Sequence, residues 1–361
     1  MDSRCWIKGA VPAVAGAGLA IAPAAVSLSA DAAAVPAPAW HLSRTVPANE
    51  ELEGIAAPAR DQAWAYGFTE GSHGHAFYLH WNGRVWKRAR IRPVPRGFVP
   101  EQIRASSAAN VWILGEVGTK GDVALVYNGH TWRAIATPTT EDPSELDVAS
   151  STDAWLVTAN GATPSGTTTI EHWTGGGWKR YSFTGDLALA GGGANPWLVG
   201  KIAYPGTVLA EVLHWALGTW FYQPTPDRSP AQIVGVATPS GKLCWLAVRS
   251  RKSGPWRLYQ LRDSSWSSFR VPRALHFHPA AAGGPVSDGH NGFWAPPLHW
   301  TGTRWVVTAR TGPNRPSWLN SFWYNNVAAV PGSSGTWAIV LADSSSPSGV
   351  LSGIAYYGSR P

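Results

Sequence analysis

Cysteine, charge and long apolar runs are all scarce in this sequence, and each scarcity excludes a class of protein. Only Cys5 and Cys244 occur among 361 residues, so a disulfide framework is excluded. Charged residues make up 14% of the chain while Gly and Pro are spread throughout it, which excludes a coiled coil and an ordinary helical bundle. Beyond the N-terminal segment no apolar run has the length of a membrane span.

Catalytic and nucleic-acid signatures are missing as well. The sequence contains no G-x-S-x-G, no H-E-x-x-H and no P-loop. Its 22 acidic residues form no distinctive pair of the kind that a glycosidase requires. The formal charge is +7, but the basic residues are interpreted as scattered over a solvated face, densest at 87–96 and 249–252. No nucleic-acid partner is therefore predicted.

The first 32 residues have the composition of an export signal. Arg4 and Lys8 precede an apolar, charge-free stretch, and a small-x-small cleavage pattern follows at 30–32. An uncleaved membrane anchor is the alternative, which two internal prolines disfavour. We predict a signal peptide over 1–32, a linker over 33–39 and a secreted, extracellular mature protein without a membrane span.

Tryptophan is the abundant residue, with 22 copies, and fourteen of them form two interleaved series. The first series comprises Trp40, Trp86, Trp132, Trp178, Trp220, Trp266 and Trp305. The second comprises Trp64, Trp112, Trp155, Trp197, Trp245, Trp294 and Trp337. The spacings within the series run from 39 to 49 residues, a period that is typical of the blades of a β-propeller.

One repeat unit can be divided into four strands, predicted at 146–149, 154–159, 168–173 and 178–183. A hairpin motif joins the third strand to the fourth, as in His80-Trp81-Asn82-Gly83 before Trp86. Asn-Gly between apolar runs is a strong hairpin signal because both turn residues take a positive φ. These units predict an all-β, seven-bladed propeller of four-stranded antiparallel blades over 40–361.

The two ends of the propeller region are each incomplete. The last residues, 349–358, have the pattern of a third strand without its fourth, and 40–47 have the pattern of a fourth strand without a blade. Closing a propeller removes exposed strand edges. The N-terminal strand is therefore predicted to complete blade 7.

The order of a Ser/Ala-rich strand, an aromatic strand, a His-Trp-Asn-Gly hairpin and a terminal Val-Pro resembles secreted Trp-rich propellers of actinobacteria. These are loosely related to kelch and galactose-oxidase-type propellers. The resemblance covers roughly residues 40–361 and implies the propeller fold. The regular kelch Gly-Gly pair and the copper ligands of galactose oxidase are absent, so the resemblance does not imply that activity.

The tryptophans have two interpretations, stacking on sugar rings or packing in the core. Eighteen occupy repeat positions, and large aromatic side chains fill the wedge-shaped space between twisted sheets. We predict these to be core, together with the apolar-run residue Cys244 and hydrogen-bonded motif histidines at 80, 172, 214 and 299. Trp256, Trp318 and Trp323 lie outside the pattern and are better candidates for a site.

The longest connections between blades should carry the ligand site. From a fourth-strand Trp to the next second-strand Trp, the distances before Trp294 and Trp337 are the longest, at 28 and 32 residues. These connections should meet at one face, around the channel mouth. The predicted ligand-binding residues are His276, His278, Arg315, Trp318, Asn320, Trp323, Tyr324 and Asn325. Such side chains suit a polar ligand with an apolar face. The alternative is that the long connections form a cap that plugs the channel and bind no ligand.

Two H-x-H pairs are candidate metal ligands, His73 with His75 and His276 with His278. An isolated pair without a nearby acidic partner is a weak metal signal. We therefore predict no metal and no cofactor.

Three functions remain open. A monomeric secreted binding protein that recognises a glycan or an anionic cell-surface polymer is favoured, because the scaffold is regular and no catalytic motif is present. A polysaccharide lyase or glycoside hydrolase could use the same face, with His276 or Tyr324 as a base. A protein-interaction scaffold is the third possibility, and fold alone does not choose among them.

Overall fold

The computed structural model describes most of the chain after the N-terminal segment, over residues 38–69, 74–138, 145–160, 163–250, 254–272, 285–308, 323–341 and 352–358. The described residues form seven four-stranded antiparallel sheets and one short 3-10 turn, with no α-helix. Among them, no helix is long and apolar enough to cross a membrane. The predicted signal peptide over 1–32 lies outside the described residues.

Strand β1 (Ala39–Thr45) precedes the first blade. Blade 1 contains β2 (Glu50–Ala59), β3 (Gln62–Thr69), β4 (Ala76–Trp81) and β5 (Trp86–Ala89). Blade 2 contains β6 (Phe98–Ser107), β7 (Asn110–Val117), β8 (Asp122–Tyr127) and β9 (Trp132–Ala136). Blade 3 contains β10 (Glu145–Ser150), β11 (Asp153–Asn160), β12 (Thr167–Trp173) and β13 (Trp178–Thr184). In blade 3 the predicted strands are confirmed to within one residue at each end.

The remaining blades follow the same order. Blade 4 contains β14 (Asp186–Gly191), β15 (Trp197–Tyr204), β16 (Thr207–Ala216) and β17 (Thr219–Gln223). Blade 5 contains β18 (Gln232–Ala237), β19 (Leu243–Arg249), β20 (Arg257–Arg262) and β21 (Ser265–Phe269). Blade 6 contains β22 (Val286–Ser287), β23 (Phe293–Ala295), β24 (Leu298–Trp300) and β25 (Trp305–Val307). Blade 7 contains β26 (Trp323–Ala329), β27 (Thr336–Leu341) and β28 (Ser352–Gly358).

Strand β1 supplies the fourth strand of blade 7, as predicted. It pairs antiparallel with β28, with Trp40 opposite Tyr357 and Thr45 opposite Gly353. The Val46 N–H continues the pairing by donating to the Ser352 carbonyl at 3.0 Å. The ring is therefore closed by strands from both ends of the propeller region, in the order β1-β28-β27-β26.

The core lies between neighbouring blades and is built from the periodic tryptophans. Trp155 of blade 3 is fully buried, and its ring centroid lies 5.1 Å from that of Trp215 and 5.6 Å from that of Trp220, both in blade 4. The same contact closes the ring, where Trp337 of blade 7 lies 5.2 Å from Trp81 of blade 1. The described repeat tryptophans therefore join the blades, which confirms their predicted structural role.

Each motif histidine stacks on the second-strand tryptophan of its own blade. His172 stacks on Trp155 with ring centroids 3.7 Å apart, and its Nε2 donates to Asp153 Oδ1 at 2.9 Å. His80 and His299 make equivalent bonds to Gln62 and Asp288, and His214 stacks on Trp197 at 3.9 Å. These contacts confirm a structural role. The prediction of a hydrogen bond is wrong for His214 within the described residues, where its Nε2 has no partner.

Candidate functional site

The predicted site lies at one face of the ring, which we call the entry face. It is the face at which the innermost strands begin, at Glu50, Phe98, Glu145, Asp186, Gln232, Val286 and Trp323. Strands alternate in direction within a blade. The connections between blades and those from each second to third strand therefore share this face, as predicted.

Two connections on the entry face are much longer than the others. Between β21 and β22 there are 16 residues, and between β25 and β26 there are 15, whereas the other five connections between blades have at most eight. The two long connections enter the innermost strands of neighbouring blades 6 and 7. The scaffold thus brings the starts of β22 and β26 to the same sector of the channel mouth.

The predicted site residues divide into two groups. His276, His278, Arg315, Trp318 and Asn320 belong to these connections and lie outside the described residues. The other three, Trp323, Tyr324 and Asn325, were predicted in a connection but form the start of β26, the innermost strand of blade 7.

The backbone of β26 is irregular at this point. Trp323 lies opposite Leu341 and Tyr324 opposite Val340, and the register shifts between Tyr324 and Asn326. A register shift of this kind inserts an extra residue into one strand of an antiparallel pair.

The structure corrects one tryptophan candidate and leaves one histidine pair untested. Trp256, considered as an unexplained aromatic residue, is buried in the core with Trp245 and Trp300. His75 is exposed, while His73 lies outside the described residues. Among the described residues no three His, Cys, Asp or Glu side chains come together as a metal site would require.

Charged residues replace apolar ones at one repeat position of the inner wall. In each blade, one residue of the innermost strand lies opposite the second-strand tryptophan. Small or apolar residues take this position in five blades: Ala56, Gly191, Val236, Val286 and Ala328. Blades 2 and 3 have Arg104 and Asp147 there. Opposite charges therefore occupy the same inner-wall position in two neighbouring blades.

Glu145 and Asp147 bind the backbone of the next blade. Glu145 Oε2 accepts the N–H of Leu189, which lies on β14. Asp147 Oδ2 accepts the Gly193 N–H at 2.9 Å, and its Oδ1 accepts the Val148 N–H at 2.9 Å. Because the inner edge of β14 has no partner strand, these carboxylates satisfy donors that the sheet leaves free.

Burial changes the protonation of both carboxyl groups. It raises the pKa of Glu145 to about 7, although the Leu189 N–H and the Arg104 charge oppose the rise. Burial also raises the pKa of Asp147, against its two backbone hydrogen bonds and Arg104. A carboxyl group that titrates near neutral pH can exchange protons there. Glu145 also accepts a hydrogen bond from Leu189 of the neighbouring blade. The titration of its carboxyl group is therefore coupled to the free energy of unfolding.

Glu145→Gln should therefore stabilise the protein increasingly as the pH rises. The folded-state pKa near 7 exceeds the ordinary value of 4.5, so the contribution of Glu145 to stability falls as the pH rises through this interval. Between pH 5 and pH 8 the difference between variant and wild type should grow by about 2 kcal/mol. Glutamine keeps an oxygen for the Leu189 N–H but does not titrate. Thermal melts across this pH range measure the difference.

Glu51→Gln is the control for this experiment, because Glu51 also lies at the entry-face end of an innermost strand, in blade 1. A stability difference for Glu145→Gln that stays constant with pH, or that Glu51→Gln reproduces, would contradict the assignment.

The sequence reasoning missed the charged positions Arg104 and Asp147, although the sequence contains a signal for them. Aligning the repeats by their second-strand tryptophans shows that one inner-wall position is charged in two neighbouring blades and small or apolar in the rest. The inner-wall position is indicated by two blades whose residue there differs in type from that of the other repeats, and the overall amino-acid composition does not indicate it.

Comparison with known proteins establishes the fold and no family. No protein-family model matches the chain, and no curated protein matches it. The β-propeller domain of the Trilobed protease from Pyrococcus furiosus is similar, with a TM-score of 0.57 and 8% identity over 81% of this chain and 91% of that one.

Two further structures show the same likeness. Pyrococcus horikoshii acylaminoacyl peptidase has a TM-score of 0.55 and 8% identity, covering 81% of this chain and only 49% of its own length. The YCF48 protein bound to a D1 peptide has a TM-score of 0.51 and 13% identity, covering 88% of this chain and 96% of that one. At such low identity these similarities show the propeller fold alone.

Proposed function

We propose that the chain is a binding protein that recognises a glycan or another cell-envelope component at the entry face over blades 5–7. The observation that carries the proposal is the pair of long connections that enter neighbouring innermost strands at one sector of the channel mouth. Rigid scaffolds commonly carry their binding residues on such connections, and connections of this length are usually functional.

The residue types in this sector indicate the chemistry of the ligand. The connections and the start of β26 supply imidazole, guanidinium and amide groups together with indole and phenol rings. Aromatic faces suit the apolar face of a sugar ring, while the polar groups suit hydroxyl or carboxylate groups. A glycan that carries both features fits this set better than a purely apolar ligand does.

The proposed location is extracellular. The signal-like segment over 1–32 and the resemblance to secreted Trp-rich actinobacterial propellers support it. The mature protein is proposed to begin near residue 33 and to act as a monomer.

A glycan array and a cell-wall pull-down with the mature protein test the proposal. We expect a retained glycan whose dissociation constant rises at least about tenfold on Arg315→Ala or Trp318→Ala, as is typical when an interaction anchor is removed. Tyr222→Ala is the matched control, since Tyr222 is 56% exposed on the outer strand of blade 4. Its binding should stay unchanged.

Two outcomes would contradict binding at this sector. One is the retention of no glycan or envelope fraction, and the other is an equal loss of affinity in Tyr222→Ala. Release of unsaturated products from a uronic-acid polymer, abolished by His276→Ala and Tyr324→Phe, would instead assign a lyase activity to the same face.

A further inference from the structure

The positive charge of the chain is concentrated in one segment rather than scattered. Residues 82–97 contain six of the 29 Lys and Arg residues and none of the 22 Asp and Glu residues. The rest of the chain therefore holds 23 basic and 22 acidic residues, a net charge of +1 out of the total of +7. We call the six side chains the basic patch: Arg84, Lys87, Arg88, Arg90, Arg92 and Arg96.

The basic patch follows the outer edge of blade 1 and continues onto the entry face towards blade 2. It begins in the turn before β5, follows β5 along the outer edge of blade 1, and continues in the connection to blade 2. All six side chains are exposed. Arg88 forms an ion pair with Glu50 and covers the Phe77 ring at 3.8 Å. Within the described residues, the other five form no ion pair, so their charges are available to a partner.

The surroundings of the patch disfavour a partner that needs stacking. Trp86 and Phe98 are buried and Phe77 is covered by Arg88, so the patch presents no open aromatic ring. Binding of single-stranded nucleic acid relies on bases that stack on aromatic side chains. Only Val85 and Val94 are exposed apolar residues here, which is little for insertion into a lipid surface. The patch therefore offers charge alone.

Neighbouring blades extend the charge around the rim. The residue after the first tryptophan of each fourth strand is cationic in blades 1, 2 and 3, where it is Lys87, Arg133 and Lys179, all exposed. In the other blades this position holds Phe221, Ser267, Val306 and His41. Strands β5, β9 and β13 contain no acidic residue. The outer strands of three neighbouring blades thus carry basic side chains and no acidic ones.

We propose that this arc binds a linear acidic polysaccharide, with the basic patch of blade 1 as its principal contact. A polymer with one anionic group per sugar unit can follow a line of exposed cations, and its binding is driven largely by the release of counterions. The arc is built from the outer strands of blades 1 to 3 and the connection from blade 1 to blade 2, so it does not include the entry face over blades 5–7. This inference therefore does not depend on the proposed function.

Binding of a fluorescent decagalacturonate to the mature protein tests the inference, with neutral maltodecaose for comparison. We expect binding of the acidic oligomer alone, weakening steeply between about 50 and 200 mM salt. The patch variant carries Lys87→Gln, Arg90→Gln, Arg92→Gln and Arg96→Gln. Its dissociation constant at low salt should rise at least about tenfold, and its salt dependence should become shallower because fewer counterions are released.

A charge-matched variant separates the patch from the net charge. It carries Lys242→Gln, Arg257→Gln, Arg262→Gln and Arg304→Gln, which remove the same charge from exposed residues of blades 5 and 6. Its affinity should stay within about twofold of wild type, since these cations lie off the arc. Equal weakening in both variants, or no salt-dependent binding of decagalacturonate, would overturn the inference.

Two further arms complete the test. Tighter binding of a single-stranded DNA with the same number of charges, or of anionic vesicles, would also overturn the inference because neither is an acidic polysaccharide. The patch variant should retain the glycan that the entry face binds as tightly as wild type does. A failure of the entry-face proposal and a failure of this one are therefore distinguishable in the same set of proteins.

Discussion

A chain that begins at residue 48, and so lacks strand β1, should lose most of its folding free energy. Its blade 7 would expose β28, whose residues are all buried in the closed ring. It would also lose Trp40, which packs against Trp294 and Tyr357 between blades 6 and 7. A loss of at least about 5 kcal/mol is expected, which is comparable to the whole stability of many domains. Thermal and denaturant unfolding measure it.

A chain that begins at residue 38 is the control, because it lacks only the residues before β1. It should unfold like the mature protein. A peptide of residues 38–47, added to the shortened chain, should restore part of the lost stability in proportion to its concentration. Identical melting of the two truncated chains, with no effect of the peptide, would show that the closure contributes little.

Trp155→Ala should be among the most destabilising single substitutions. Trp155 is fully buried, stacks on His172, and contacts Trp215 and Trp220 across the seam between blades 3 and 4. Removing the indole leaves a large cavity between two twisted sheets, which should cost about 4 kcal/mol. Chemical denaturation at neutral pH measures this cost.

Trp155→Phe separates the effect of volume from that of aromatic stacking. Phenylalanine keeps a ring over His172 and fills part of the space, so its cost should be less than half that of alanine. Equal losses of unfolding free energy for the two variants would show that the packing between blades 3 and 4 does not depend on an aromatic side chain at position 155. A loss below about 1 kcal/mol for Trp155→Ala would show that the blades repack around the cavity.

Much of this fold could be predicted because the blades repeat the same aromatic packing against their neighbours. The second-strand tryptophan of one blade contacts the hairpin tryptophans of the next, so the packing itself imposes the spacing that the sequence displays. The incomplete patterns at 40–47 and 349–358 predicted the pairing of β1 with β28 for the same reason. Irregular connections follow no such repeat, so their bounds were less accurate, and the start of β26 was placed outside its strand.

The candidate site was less predictable because it depends on contacts between blades rather than on spacing along the chain. Asp147 looks like an ordinary strand residue in the sequence, yet it holds Gly193 of the next blade. The raised pKa of Glu145 arises from burial that only the assembled ring produces. The basic patch was visible in the sequence, but its significance needed the outer edge of blade 1 and the near neutrality of the remaining chain.

The closure of blade 7 also affects how the protein is made. The partner of β1 lies about 300 residues later in the chain, as the bond from the Leu52 N–H to Ser352 Oγ illustrates for the strand that follows. On the ribosome β1 therefore emerges before every other strand of the propeller, and its partner is available only after β28 has been synthesised. Blades 1 to 6 can form in turn, but the ring cannot close before β28 is available to pair with β1. Until then, the unpaired edge is open to aggregation or to a chaperone.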